Sequence, residues 1–231
     1  MVAEQQDEAL SVARITDIER LPTDERWLIE GFLSSGSLMV LAASPKAGKT
    51  FAALSAAIAV ASGTTALGRF RAQNPGPVLI FPAEDDPRAI RERIEALCKG
   101  GGVEFGDLPI HVITSHSLKL DREDDRAKLV SLLERVRPKL LVLDPLVRLH
   151  SGAESYVGHI SELFGYLRTL QRRFALAVLV THHVAKNRSG SGQPGSAMRG
   201  SGDIHAAYDH GAMIERVDGG AVATARAPSL R

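Results

Sequence analysis

The sequence is poor in cysteine, in aromatic residues and in net charge. Among its 231 residues there is one cysteine, Cys98, so no disulfide can form within the chain, which suits a reducing cytoplasm. Aromatic residues make up 5% of the chain, and the formal net charge is +1, which excludes a strongly basic nucleic-acid binder but leaves room for a local basic patch. We expect Cys98, which follows Leu97 in a helical stretch, to be a packing residue.

Long apolar runs are also missing. The alanine-rich stretch at residues 51–62 is too short to cross a bilayer. Residues 1–8 are acidic and polar and therefore do not resemble a signal peptide. Together with the low cysteine content, these features predict a cytoplasmic protein without membrane association.

The rest of the sequence alternates aliphatic runs with amphipathic stretches. This alternation predicts an α/β fold with a mostly parallel sheet flanked by helices. We expect residues 1–14 to be a disordered tail and residues 15–231 to form a single domain. The predicted strands are 37–42, 77–82, 110–114, 140–144 and 176–181, and the predicted helices are 51–62, 87–99, 122–136, 155–173 and a short one at 201–207. Two further runs, 212–217 and 221–225, are joined by Asp218-Gly219-Gly220 and predict a C-terminal β-hairpin.

Residues 43–50 read ASPKAGKT and lie between an aliphatic run and a helical stretch. A strand, a tight loop ending in Gly-Lys-Thr and a helix are the setting of a phosphate-binding loop, and this setting argues against a chance Gly-Lys-Thr. Backbone N–H groups at the helix start bind phosphate, Lys49 reaches the β- and γ-phosphates, and Thr50 offers its hydroxyl to Mg²⁺. We therefore predict an ATP site formed by Ala43, Ser44, Pro45, Lys46, Ala47, Gly48, Lys49 and Thr50. Ala43 stands where a glycine is usual, and Pro45 removes one N–H from the loop.

Asp144 ends the aliphatic run at residues 140–144. Because parallel strands end at one edge of a sheet, we expect this carboxylate to lie beside the phosphate-binding loop and to hold Mg²⁺ together with Thr50. The alternative is that Asp144 and Pro145 only form a turn. The pairing with the upstream Gly-Lys-Thr favours the metal site.

Three carboxylates follow the run at residues 77–82. Glu84 comes first after the strand and is expected to polarise the water that attacks the γ-phosphate. Asp85 and Asp86 are expected to cap the next helix, whose first turn would begin at Pro87.

Two histidines, His182 and His183, follow the run at residues 176–181. No cysteine and no H-x-x-x-H spacing supports a zinc site. An imidazole N–H can instead donate to the terminal phosphate and lose that partner on hydrolysis. We therefore predict a γ-phosphate sensor, and the sequence leaves open which of the two histidines it is.

These motifs occur in one order, together with the segment at residues 27–33 and the sequence MRGSGD at 198–203. In this combination the chain resembles the RepA-type hexameric helicase-like ATPases of the RecA/KaiC superfamily, over residues 27–217. The resemblance implies a RecA-like fold, ATP and Mg²⁺ as cofactors, and a homo-oligomeric ring, with a hexamer as the expected size. It also implies the catalytic residues Lys49, Glu84, His183 and Arg199 and the Mg²⁺-associated Asp144. Arg199 would be presented to the nucleotide of a neighbouring subunit.

The resemblance favours a helicase-like motor that acts on single-stranded DNA in the replication of plasmids, phages or mobile elements, or in DNA processing. Such motors place DNA-contacting loops after the aspartate strand and after the sensor strand, here at residues 148–158 and 186–199. The loops carry Arg148, Lys186, Arg188 and Arg199, without interleaved aromatic residues, so solvated loop charge is the alternative. A second hypothesis is a nucleotide-dependent regulatory or assembly switch that binds protein partners without translocation. A small-molecule kinase is disfavoured, since no Arg-rich lid segment is evident.

Overall fold

A seven-stranded β-sheet organises the chain in the computed structural model, which describes residues 12–19, 22, 26–151, 157–183, 208–217 and 220–226. In chain order the strands are β1 (Trp27–Ile29), β2 (Leu33–Ser34), β3 (Leu38–Ala43), β4 (Thr65–Ala66), β5 (Phe70–Arg71), β6 (Val78–Pro82), β7 (Ile110–Val112), β8 (Leu140–Asp144), β9 (Ala177–His183), β10 (His210–Val217) and β11 (Gly220–Arg226). The α-helices are α1 (Lys49–Ser62), α2 (Pro87–Gly101), α3 (Glu123–Val136) and α4 (Val157–Phe174), and short 3₁₀ turns lie at Ile15–Asp17 and Leu146–Arg148.

The strand order in the main sheet is β11-β10-β3-β9-β8-β6-β7. All neighbouring strands are parallel except β10 and β11, which pair antiparallel with Val217 opposite Gly220. The predicted mostly parallel sheet and the C-terminal hairpin are therefore confirmed. Because β9 lies between β3 and β8, the carboxyl ends of these three strands lie side by side.

The sheet separates two apolar cores, because successive residues of a strand point to opposite faces. On one face Met39 and Leu41 of β3 pack with α1 and α2, and on the other face Leu38 and Val40 pack with α3 and α4. Small side chains make this close packing possible for α1, whose buried alanines are Ala52, Ala53, Ala56, Ala57 and Ala59. The helices thus cover both faces of the sheet and leave the strand ends for the loops.

Helix α2 begins where the sequence predicts, with Pro87 as its first residue and Asp86 as its N-cap. The Asp86 carboxylate accepts a hydrogen bond from the backbone N–H of Arg88 at 2.7 Å. The expectation that Asp85 also caps this helix is wrong. Its two carboxylate oxygens accept from the guanidinium of Arg93 at 2.6 and 3.0 Å, because Arg93 lies two turns along the helix and reaches back to the loop.

Several expectations differ from the structure. Strand β9 continues to His183, so both histidines are strand residues and point to opposite faces. The short pairs β1–β2 and β4–β5 were not predicted, because two or three residues carry no readable alternation. Cys98 is buried, as expected for a packing residue.

Residues 1–11 of the predicted tail and the short helix at 201–207 lie outside the described residues. The extent of the domain stays a prediction. Among the described residues, none of the helices combines the length and apolar character needed to span a membrane.

Candidate active site

The loop between β3 and α1 turns through two residues with left-handed backbone conformation. These are Lys46, with φ 62°, and Gly48, with φ 92°. A Cβ atom on Gly48 would meet nothing within 4 Å, so glycine is favoured here by the backbone conformation rather than by lack of space. Gly48 is the N-cap of α1 and provides no side-chain cap. The first N–H groups of the helix and the positive end of its dipole are thus presented to an anion.

Four side chains from three neighbouring elements meet below this loop. The Lys49 ammonium pairs with Asp144 Oδ1 and donates to Thr181 Oγ1 at 2.8 Å. The Thr50 hydroxyl donates to Asp144 Oδ2 at 2.7 Å, and the Thr181 hydroxyl also donates to Asp144 Oδ1. The structure therefore brings together the predicted residues Lys49, Thr50 and Asp144. Thr181 was missed, and its signal was a lone hydroxyl near the end of an aliphatic strand.

The electrostatics of the cluster centre on Asp144, which is 6% exposed. Burial pushes the pKa of Asp144 upward, but the charge of Lys49 and hydrogen bonds from Lys49, Thr181 and Thr50 outweigh burial and lower the pKa below its ordinary value. The carboxylate is therefore ionised at neutral pH. Lys49 provides the positive charge that makes a buried carboxylate tolerable.

The cluster fits a magnesium nucleotide. Mg²⁺ prefers oxygen ligands and is usually held by one or two protein groups, with phosphate and water completing its shell. The Thr50 hydroxyl and the Asp144 carboxylate supply such oxygens. No group of three or more His, Cys, Asp or Glu side chains in the described part of the chain could hold a metal ion by itself. The donor set therefore suits a cation that arrives with phosphates, rather than a metal caged by protein.

Glu84 lies next to this cluster, just past the end of β6. The backbone N–H of Ala83 donates to the carbonyl of Asp144 at 2.7 Å, which ties the two strand ends together. Glu84 Oε1 accepts a hydrogen bond from Arg148 Nε at 2.9 Å, and Glu84 Oε2 lies 3.8 Å from His183 Nε2. The structure thus places Glu84 beside His183, the second of the two candidate histidines. The contact with Arg148 was not predicted, since Arg148 was assigned only to a loop for nucleic acid.

Three of the predicted basic residues cannot be placed. Lys186, Arg188 and Arg199 lie outside the described residues. Nothing in the geometry therefore bears on the proposed presentation of Arg199 to a neighbour.

A cavity of about 700 Å³ adjoins the phosphate-binding loop. Ala47 and Gly48 of the loop line it, together with Phe51 and Ser55 of α1 and Leu97 of α2. This volume lies within the range of small-molecule pockets. Phe51 is 48% exposed, which is unusual for a large apolar side chain and is consistent with a surface that a ligand covers.

Comparison with known proteins agrees with this geometry. A family model described as an AAA domain (AAA_25) matches residues 4–189, a range that includes the phosphate-binding loop, Glu84, Asp144 and His183. Among solved structures, the chain is similar to the ATPase domain of a helicase, with a TM-score of 0.58 and 15% sequence identity over 79% of this chain and 70% of that chain. At this identity the likeness concerns the fold. The chain belongs to the AAA_25 family of AAA domains, and it is a P-loop ATPase with the RecA-like fold of the RepA type that its motifs predict.

Proposed function

We propose that this ATPase hydrolyses ATP in a Mg²⁺-dependent reaction and works as a ring-forming, helicase-like motor on single-stranded DNA. Its role would lie in the replication of plasmids, phages or mobile elements, or in DNA processing. The observation that supports hydrolysis most directly is the meeting of Lys49, Thr50 and Asp144 below the phosphate-binding loop, with Glu84 at the adjacent strand end.

The proposed chemistry uses each of these side chains once. Lys49 turns from Asp144 toward the β- and γ-phosphates, and Thr50 and Asp144 hold Mg²⁺, which neutralises phosphate charge when it is bound. Glu84 orients the attacking water and takes up its proton as the bond between the γ-phosphorus and the leaving ADP oxygen breaks. His183 contacts the γ-phosphate and loses this partner after hydrolysis.

The test of this proposal is steady-state ATP hydrolysis with and without Mg²⁺ and with and without an oligo-dT single strand. We expect turnover that stops when EDTA removes Mg²⁺ and that rises when the single strand is added. Turnover without Mg²⁺ would contradict the roles of Thr50 and Asp144. A rate indifferent to single strands of any tested length would contradict the motor.

The second candidate is a nucleotide-dependent switch that binds protein partners and moves nothing. It is favoured by the way in which the nucleotide-free site satisfies its own charges, with Lys49 paired to Asp144 and Glu84 paired to Arg148. Nucleotide must break the first pair, so bound and free forms differ in side-chain arrangement. Hydrolysis that is unaffected by DNA but stimulated by a protein partner would favour the switch over the motor.

Ring formation gives a prediction for Arg199, whose role is implied by the family resemblance. We expect Arg199→Ala to retain nucleotide affinity and to lose turnover, because an arginine supplied by a neighbour can contribute about 10³–10⁵ in rate. A mixture of Arg199→Ala and Lys49→Ala subunits is expected to recover activity, since a mixed ring pairs an intact loop with an intact arginine. Turnover of the mixture at increasing protein concentration is the measurement. A mixture that stays inactive, although mass spectrometry detects mixed oligomers, would show that Arg199 does not act across subunits.

A further inference from the structure

Arg148 is fixed at its backbone and free at the end of its side chain. The Lys119 ammonium donates to the carbonyls of Arg148 and His150, at 2.8 and 3.1 Å. The backbone N–H of Leu120 donates to the carbonyl of Leu149 at 2.6 Å. These bonds hold the turn after β8 firmly against the segment before α3. The Arg148 side chain is nevertheless 57% exposed, so its position is set by a rigid base and its head faces solvent.

The Arg148 guanidinium uses only part of its hydrogen-bonding capacity. Its Nε donates to Glu84 Oε1 at 2.9 Å. An arginine carries five N–H donors in a planar fork, four of them on the two terminal nitrogens. Within the described parts of the chain, those terminal nitrogens have no hydrogen-bond partner. A planar pair of free amino groups matches two oxygens of a phosphate group.

The contact has a direct effect on Glu84, because Glu84 needs a free carboxylate oxygen to accept a proton from water. Oε1 is engaged by Arg148, and Oε2 faces His183 Nε2 at 3.8 Å. Both partners of the Arg148 pair are solvent-exposed, and exposed ion pairs are weak. A phosphate diester that presents two oxygens to the terminal nitrogens can therefore draw the guanidinium away from Glu84.

We propose that Arg148 is a positioning residue that restrains Glu84 and releases it when the guanidinium binds a nucleic-acid phosphate. The proposal rests on the proposed role of Glu84 as the group that orients the attacking water. It makes Arg148 the link between nucleic-acid binding and ATP hydrolysis. The residue is thereby more than a source of loop charge.

The experiment compares the full-length Arg148→Ala protein with wild type and with Arg173→Ala. Arg173 is a matched control because it also forms an exposed pair with a glutamate, Glu134, at 2.8 Å, away from the strand ends. In each protein kcat and KM for ATP are measured with and without oligo-dT. We expect the DNA-free kcat of Arg148→Ala to rise about tenfold, within the range typical of coupling between two sites, with KM unchanged. Oligo-dT should then raise kcat no further, whereas Arg173→Ala should behave like wild type.

A second variant shows whether the effect passes through Glu84. Glu84→Gln/Arg148→Ala is expected to be as slow as Glu84→Gln, because the released group is the Glu84 carboxylate. A DNA-free kcat of Arg148→Ala that equals or falls below wild type would overturn the restraint. A raised kcat that oligo-dT still increases would overturn the release by nucleic-acid phosphate. A wild type that ignores DNA while Arg148→Ala is activated would support the restraint and count against the motor, so the two failures are distinguishable.

Discussion

Lys49→Ala is expected to abolish ATP hydrolysis and to weaken ATP binding. The substitution removes the charge that contacts the transferred phosphoryl group, and a single lost electrostatic contact of this kind costs about 10²–10³ in turnover. Nucleotide affinity is measured with a fluorescent ADP analogue, and hydrolysis is measured by phosphate release. Lys46→Ala, which changes an exposed lysine of the same loop, is the matched control and should keep most of the activity. Normal turnover of Lys49→Ala would remove Lys49 from the site.

The same substitution should also destabilise the nucleotide-free protein. Without Lys49 the buried Asp144 carboxylate has no positive partner, and breaking a buried pair in this way costs about 3–5 kcal/mol of unfolding free energy at pH 7. Urea unfolding measures the loss. The double variant Lys49→Ala/Asp144→Asn carries no buried charge and should be more stable than Lys49→Ala, yet equally inactive. Equal stability of the two variants would contradict this account.

The pH dependence of this loss has a definite sign. In wild type the pKa of Asp144 is lowered below its ordinary value of 3.8, so its contribution to stability is present above pH 3.8 and disappears as the pH falls through the folded-state pKa. In Lys49→Ala burial acts with less opposition and raises the pKa of Asp144 relative to wild type. If that pKa rises above the unfolded value, folded protein takes up a proton more readily than unfolded protein, and the stability gap to wild type narrows as the pH falls from about 7 toward 4. A gap that is constant over this range would show that Asp144 stays ionised in the variant.

Glu84→Gln is expected to preserve ATP binding and to slow hydrolysis by about 10²–10⁴, the usual contribution of a general base. The amide keeps the size of the side chain and an oxygen that can accept from Arg148, but it cannot take up the proton of the attacking water. Single-turnover hydrolysis and nucleotide affinity are the measurements. Glu134→Gln, a change in another exposed Arg–Glu pair, is the control and should hydrolyse ATP normally. Normal hydrolysis by Glu84→Gln would mean that another group orients the water.

Local patterns predicted those parts of the site that lie close together in sequence. The phosphate-binding loop is one contiguous motif, and buried strands such as β8 appear as continuous aliphatic runs. Parallel-sheet geometry then sufficed to predict that Asp144 would lie near Lys49. The exact bounds depend on tertiary pairing, which is why β9 extends beyond its aliphatic run to His183.

Contacts that depend on strand order were not predictable in the same way. Thr181 reaches both Lys49 and Asp144 only because β9 lies between β3 and β8, and one sequence does not reveal that order. The contact of Arg148 with Glu84 joins side chains 64 positions apart, and it also depends on which strands are neighbours. Asp85 shows the same limit at short range, since a helix-capping pattern does not exclude a stronger arginine partner.

The central position of Thr181 has a consequence for the order of events in one catalytic cycle. Its hydroxyl contacts Lys49 and Asp144 at once, so the arrival of a nucleotide that attracts Lys49 changes the surroundings of β9 before any bond is broken. His183, two residues further along the same strand, would respond later, when the γ-phosphate departs. Thr181→Val would keep the shape of the strand and remove the earlier contact alone. One strand of this ATPase would then report two separate moments of the cycle, the binding of nucleotide and the loss of phosphate, to the chain segment that follows it.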